Sequence, residues 1–347
     1  MDIQRLITYK KFLSGVFSGK RILISGATGL IGSRIVEFLA DLNDTDCADI
    51  QIIGLYRNQK KKNALFSHML NRKDVQFVQY TIGGELHSDV EIDYVIHCAG
   101  VSGGMKMHLE EPVEVFKVGI GGTHELLDYA VLHGCQGFLY ISTYEVYGNN
   151  TKNQLICENH ACELDTFVLR NIYAEIKRLC ESLCCAYSVK YNMDTYAARL
   201  TSTFGAGVAY EDPRFFAEFS RCIIEGRDIV LRSKGETVRS YLDADDAAIA
   251  FLYILANGKG SNVYNVTNMA NVISIKDIAL KMIQISKAQV DLKFDLVDKI
   301  EKEGYRQEGI TLMDASKIEN IGWKPVYTLE DTLEKMIFSM KMKRGDK

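Results

Sequence analysis

The chain of 347 residues is poor in the features that divide, staple or anchor a protein: it has 3 Pro and 1 Trp, no Pro-, Ser- or Gly-rich stretch and no internal repeat. With no tether in the composition, any division into domains has to come from the fold. No apolar run approaches the roughly 20 residues that a membrane span needs. Residues 1–20 interrupt short apolar pieces with Asp2, Arg5, Lys10 and Lys11, which is not the pattern of a secretion signal. A cytoplasmic chain that opens with a short helix and meets no membrane is expected. An excess of one charge is missing too, since 41 basic and 45 acidic residues leave a net charge of -4. Nucleic acid or an anionic surface would require a basic face, so neither is an expected partner.

Cysteine is present but unpatterned. The 9 cysteines, at positions 47, 98, 135, 157, 162, 180, 184, 185 and 222, contain no CxxC pair and no Cys/His spacing suited to a metal, so neither a disulfide framework nor a metal site is expected. Cys180 and Cys184 fall one helical turn apart on an apolar stripe and read as small buried hydrophobes.

What the chain does have is 47% hydrophobic and 25% charged residues, enough for a large α/β unit or two compact domains. Apolar runs at 21–25, 50–56, 75–80, 94–98, 138–142 and 194–200 alternate with helical periodicity at 29–42, 110–133 and 166–191. Short apolar strands between amphipathic helices predict βαβ units, hence a doubly wound parallel sheet of Rossmann type. Beyond residue 200 the alternation loosens. A helix at 243–256 and a strand at 262–266 can return to the first sheet and complete a cofactor domain of residues 1–200, which leaves 201–242 and 268–347 as a second, smaller and discontinuous α/β domain.

The first strand runs into Gly26-Ala27-Thr28-Gly29-Leu30-Ile31-Gly32, a GxxGxxG that opens a helix. Glycines there permit a tight turn, close approach of backbone amides to a pyrophosphate and close packing of helix on strand, while the helix N-terminus offers free N–H groups to the anion. The seven residues are therefore candidates for a dinucleotide site. At the end of the second strand, where NAD-binding folds place a carboxylate for the ribose hydroxyls, the sequence reads Leu55-Tyr56-Arg57-Asn58. Arg57 suits the 2′-phosphate of NADP, so NAD or NADP is expected, with NADP favoured. The lysine run 60–62 reads as a solvated face.

Tyr173 and Lys177 stand four apart on the 166–191 helix and so share a face. The same spacing recurs at Tyr56 and Lys60, so spacing alone decides nothing. The companion is Ile141-Ser142-Thr143-Tyr144-Glu145-Val146-Tyr147-Gly148, which puts hydroxyls at the C-terminal edge of a strand, where open α/β sheets bind ligands. Lys177 and a nicotinamide cation would draw the Tyr173 phenol toward phenolate, letting it exchange a proton with a substrate oxygen. Thr143 would bond the same oxygen, and Lys177 would also hold the nicotinamide ribose. Glu145 is a candidate second acid or base.

These segments, with VIHCAG at 95–100, RLTSTFGAG at 199–207, VRSYLDADDAA at 238–248, VYNVTN at 263–268 and IGWKPVYTLEDTL at 321–333, resemble the extended short-chain dehydrogenase/reductase family, in its NAD-dependent epimerase/dehydratase branch acting on nucleotide sugars. The resemblance covers nearly the whole chain. It implies a nucleotide diphosphate sugar as substrate, Ala99 among the cofactor residues, Arg239 on the diphosphate, Ser202 near the sugar phosphate, Arg306 approaching the diphosphate, Tyr144 on the substrate side, and a homodimer formed through the Tyr173 helix.

The chain departs from the family pattern in three places. Gly119 stands where members carry an Asn, and the acidic residue near the adenine is missing from residues 80–84. Between Thr143 and Glu145, 4,6-dehydratases carry Asp and UDP-glucuronate decarboxylases Ser; here the residue is Tyr144. Elimination across C5 and C6 needs an acid as well as a base, whereas oxidation and reduction at C4 needs only Thr143, Tyr173 and Lys177. The expected function is therefore hydride transfer at C4, as in an epimerase or reductase. Dehydration or decarboxylation through Glu145 is the alternative, and a catalytically silent cofactor sensor is the reading of another class.

Overall fold

The structure is a computed structural model that describes residues 1–84, 86, 91–100, 110–148, 155–161, 163–296 and 309–345. Its framework is a seven-stranded sheet, all parallel, in the order β3-β2-β1-β4-β5-β7-β11. The strands are β1 (Arg21–Ser25), β2 (Gln51–Tyr56), β3 (Val75–Gln79), β4 (Tyr94–His97), β5 (Gly137–Thr143), β7 (Asp194–Leu200) and β11 (Asn262–Val266). β5 is buried at every position, as a strand covered by helices on both faces must be. One face carries α1 (Ile3–Phe17), α2 (Leu30–Asp46) and α8 (Ala244–Asn257), with Leu13, Phe17, Leu39 and Phe251 in a common core. The other carries α5 (Gly122–Leu132) and α6 (Ile172–Tyr191), packed through Leu126, Leu127, Ile176, Cys180 and Cys184. Cys180 and Cys184 are thus core residues, as their spacing predicts.

The chain leaves β1 toward β2 and β3, then returns to place β4 on the other side of β1. This reversal opens a crevice at the carboxyl ends of β1 and β4, where doubly wound folds bind ligands.

Two helical stretches differ from expectation. Residues 110–133 are interrupted by a π-helical turn, Lys117–Gly121, between α4 (Pro112–Phe116) and α5. α6 begins only at Ile172, because Asp165 accepts from the backbone N–H of Phe167 at 2.9 Å and its carbonyl from the Asn171 side chain at 2.9 Å. Such local bonds compete with helix formation.

β8 (Ser202–Phe204), β10 (Val238–Asp243), β12 (Val272–Ser274), β14 (Ile310–Met313) and β6 (Leu155–Ile156) make a second sheet. Against β8 and β10 pack α7 (Phe215–Glu225), α9 (Ile275–Ser286) and α11 (Leu329–Gly345), around Phe204, Phe216, Tyr241, Met282 and Met336. The loosened alternation after residue 200 is therefore still α/β; strands of three to six residues are too short to print a clear period. Residues 315–326 return to the first core through Ile318 and Trp323, and the Asp2 amide bonds the Val326 carbonyl at 2.8 Å. No helix among the described residues is long and apolar enough to cross a membrane.

Candidate active site

At the switch point the chain turns from Ser25 into Gly26, whose φ of +65° favours glycine. A Cβ there would meet the Cα and N of Ala99 at 2.9 Å, so β1 and β4 approach as closely as a glycine allows. The Gly29 amide closes the turn on the Gly26 carbonyl at 2.8 Å, and no side chain caps α2, leaving its first N–H groups for an anion. Gly26, Thr28, Gly29, Arg57 and Ala99 line one cavity of about 160 Å³. Ala27, Leu30, Ile31 and Gly32 complete the turn and the start of α2 behind it. This cradle fits a dinucleotide pyrophosphate, and Arg57 lines the same cavity.

The lysine run is not a solvated face throughout. Lys61 lines the same cavity, and Lys62 is buried, its ammonium 5.4 Å from the Tyr56 ring centre and 5.7 Å from that of Phe77. Apolar stems of lysine cover aromatic surface readily, which charge patterning alone does not show.

Thr143, Tyr173 and Lys177 converge at the carboxyl edge of β5. The Thr143 hydroxyl bonds the Tyr173 phenol, while the Lys177 ammonium donates to the Ile141 carbonyl at 2.6 Å and lies 5.8 Å from the Tyr173 ring centre. Burial lowers Lys177 to about 8. Tyr173 differs from the sequence expectation: burial and then the neighbouring Glu145 push its phenol up, and the Thr143 hydroxyl only opposes them. Among the chain's own groups the drift is away from phenolate, because burial and the Glu145 charge outweigh the Thr143 hydroxyl and the Arg214 charge.

The two residues after Thr143 are docked elsewhere. Arg239, on β10, donates from Nη1 to the Tyr144 hydroxyl at 2.7 Å. Arg170 donates from Nη1 to Glu145 at 2.9 Å, in a partly buried ion pair. Arg170 was not among the sequence candidates; the only signal was its place three residues before Tyr173, one turn along. Ser202 pairs with Tyr241 across β8 and β10, so Ser202, Tyr241 and Arg239 share a sheet face. Arg306 lies outside the described residues.

Beneath the site, Ser142 donates to Glu181 at 2.5 Å, and Glu181 takes a two-pronged bond from Arg199 at 3.0 and 2.6 Å. This ion pair pins α6 to β5 and β7, a bidentate geometry that resists sliding. At Gly119 a Cβ would lie 2.5 Å from Ile176 Cγ2: Ile176, next to Lys177, fills the space an Asn would need.

Residues 22–267 match the sequence model of the NAD dependent epimerase/dehydratase family. The chain is similar to a UDP-glucuronic acid decarboxylase 1 of Xenopus tropicalis, 25% identical over 97% of this chain and 76% of that one. It is also similar to a dTDP-D-glucose 4,6-dehydratase of Mus musculus, 26% identical over 92% and 88%. Among solved structures, the UDP-glucose 4-epimerase of Thermotoga maritima with UDP-glucose superposes with a TM-score of 0.79 at 21% identity, covering 93% of this chain and 99% of that one. The dTDP-glucose 4,6-dehydratase DesIV of Streptomyces venezuelae, with NAD and TYD bound, gives 0.79 at 21%, covering 94% and 98%.

Proposed function

The chain belongs to the NAD-dependent epimerase/dehydratase family, and on that premise we propose that it is an enzyme transferring hydride at C4 of a nucleotide diphosphate sugar, as an epimerase or ketoreductase. The observation that carries this reading is the division of labour in the turn after β5. Thr143 bonds Tyr173, while Tyr144 is engaged by Arg239 and Glu145 by Arg170. Proton exchange at a C4 oxygen needs the first pair with Lys177; elimination needs a proton donor free to reach the leaving group.

In this reading Tyr173 takes or returns the proton on the C4 oxygen, Thr143 bonds that oxygen, and Lys177 orients the nicotinamide ribose. A nicotinamide dinucleotide on the Gly26–Gly32 turn supplies the hydride chemistry. Arg57 and Lys61, which line the cavity, favour NADP over NAD. Arg239, a forked guanidinium on the β10 face shared with Ser202, is the diphosphate ligand. In this reading residues 1–200 with 243–267 form the cofactor domain, and 201–242 with 268–347 the sugar-nucleotide domain. Leu132 and Val189, 80% and 84% exposed on α5 and α6, support a homodimer formed on that face.

A second reading, dehydration or decarboxylation, keeps one specific support: Glu145 is close enough to Tyr173 to raise its phenol, and the curated relatives named above carry those activities. Incubation of the protein and each of NAD, NADH, NADP and NADPH with a panel of UDP-, dTDP-, CDP- and GDP-sugars, followed by mass analysis, separates the readings. Unchanged mass with an altered sugar, or a gain of two hydrogens, supports C4 hydride transfer; loss of water or of carbon dioxide overturns it.

A further inference from the structure

Residues 80–84 carry no acidic side chain, yet a carboxylate from another element is built into them. After β3 the chain makes a turn closed by the Gly84 amide on the Thr81 carbonyl at 2.9 Å, with Gly83 at a φ of +80°. Glu125, in the first turn of α5, grips this turn at two points. Its two oxygens accept the Gly83 amide at 2.9 and 3.0 Å, and its carboxylate also accepts the Tyr80 hydroxyl. Gly121 and Gly122 seat the Ile82 side chain: a Cβ on Gly122 would lie 2.8 Å from Ile82 Cδ1, and one on Gly121 would lie 3.6 Å from Ile82 Cγ2. Gly122 and Glu125 stand three apart and share a helix face, so one face of α5 receives the apolar side chain of the turn and ties down its backbone.

Tyr80, Thr81 and Ile82 line the same cavity as Gly26, Gly29 and Arg57, and so do Gly122 and Leu126 of α5. In the sheet order β3-β2-β1-β4-β5 the glycine turn follows β1, Tyr173 and Lys177 lie by β5, and Arg57 and Thr81 come after β2 and β3. A dinucleotide laid over the glycine turn with its nicotinamide toward Lys177 therefore directs its adenosine to the turn after β3. Ile82 is 36% exposed there, an apolar surface suited to the face of a base. Two consecutive glycines give the turn wide backbone freedom, and a carboxylate acceptor, stronger than a neutral oxygen, offsets the cost of ordering it. We propose that Glu125 is a positioning residue for the adenine half of the dinucleotide. By fixing the Gly83 amide and the Tyr80 hydroxyl it holds the 81–84 turn, and Ile82 with it, against α5 as the wall that receives the base. The inference rests on reading the Gly26–Gly32 turn as a dinucleotide site.

Affinities of the full-length protein and its variants for NADH and NADPH are read by nucleotide fluorescence titration. AMP and nicotinamide mononucleotide are titrated as competitors that report the two halves of the site, and Tm is measured in parallel. Glu125→Ala is expected to weaken both dinucleotides and AMP about tenfold each, because the turn is no longer held, while nicotinamide mononucleotide stays within about twofold. Glu125→Gln keeps an oxygen for the Gly83 amide and is expected to stay within about threefold of wild type for every nucleotide. A purely structural residue would lower Tm and shift both halves alike, so equal losses for AMP and nicotinamide mononucleotide overturn the inference. Unchanged AMP affinity in Glu125→Ala overturns it as well, whatever becomes of its Tm, and leaves the dinucleotide site standing. A wild-type protein that binds neither NADH nor NADPH removes that site and the inference with it.

Discussion

Arg239 donates a 2.7 Å hydrogen bond to the Tyr144 hydroxyl, and its guanidinium carbon lies 5.2 Å from the centre of the same ring. Among the described residues no carboxylate pairs with this arginine, and its Nε and the nearby Tyr241 hydroxyl are buried without partners. An enclosed cation facing phenols rather than an acid leaves room for an external anion, and it commits Tyr144 to the phosphate side of the site. Tyr144→Asp would put the missing carboxylate on Arg239. UDP binding measured by calorimetry should then fall by more than about tenfold, while dinucleotide affinity stays unchanged.

Tyr173→Phe removes the proton-exchanging group and leaves the Gly26–Gly32 cradle untouched. Turnover should drop by about a hundredfold or more with cofactor affinity nearly constant. A variant that retains its rate takes Tyr173 out of the mechanism.

Glu145→Gln separates the two chemistries. If reaction is confined to C4, the rate should change by less than about tenfold, because the carboxylate is a neighbour of Tyr173 and not the base. Near-complete loss of turnover would instead identify Glu145 as an acid or base. Arg170→Met strips the pair from the other side and should lower stability by about 1–3 kcal/mol, read by denaturant titration.

Arg57→Ala should weaken NADP by about tenfold and NAD far less, since only the former presents a 2′-phosphate to the cavity. Equal effects on both nucleotides in parallel titrations would falsify the preference.

Burial lowers His97 to about 3 from an unperturbed value of 6.5, with the Lys177 charge acting in the same direction. Between those two values the unfolded chain holds a proton that the folded one refuses. Stability contributed by the neutral ring is therefore present above pH 6.5 and is lost as the pH falls toward 3, at up to about 1.4 kcal/mol per pH unit. His97→Asn should show a shallower decline over that window in chemical denaturation at stepped pH.

The departure from prediction at α6 shows where local sequence stops being informative. Helical periodicity extends back to residue 166, yet Asp165 and Asn171 bond the backbone around them and delay the helix to Ile172, placing Arg170 in a turn from which it reaches Glu145. Lys62 makes the same point for charge: a run of three lysines reads as solvent-facing, and two aromatic rings from different strands bury one of them.

The alternation of strand and helix, the glycine turn after β1 and the ordered segments around Thr143, Tyr173 and Lys177 were determined by the sequence alone, because each depends on residues close together along the chain. The partners of Tyr144 and Glu145, the bonds of Glu125 to the turn after β3 and the upward push on Tyr173 were decided only by tertiary structure. Tyr144 and Arg239 are 95 residues apart, and Tyr80 and Glu125 are 45. Hydrogen-bond partners and burial are properties of such meetings, set when the strands pair and the two sheets close on one another.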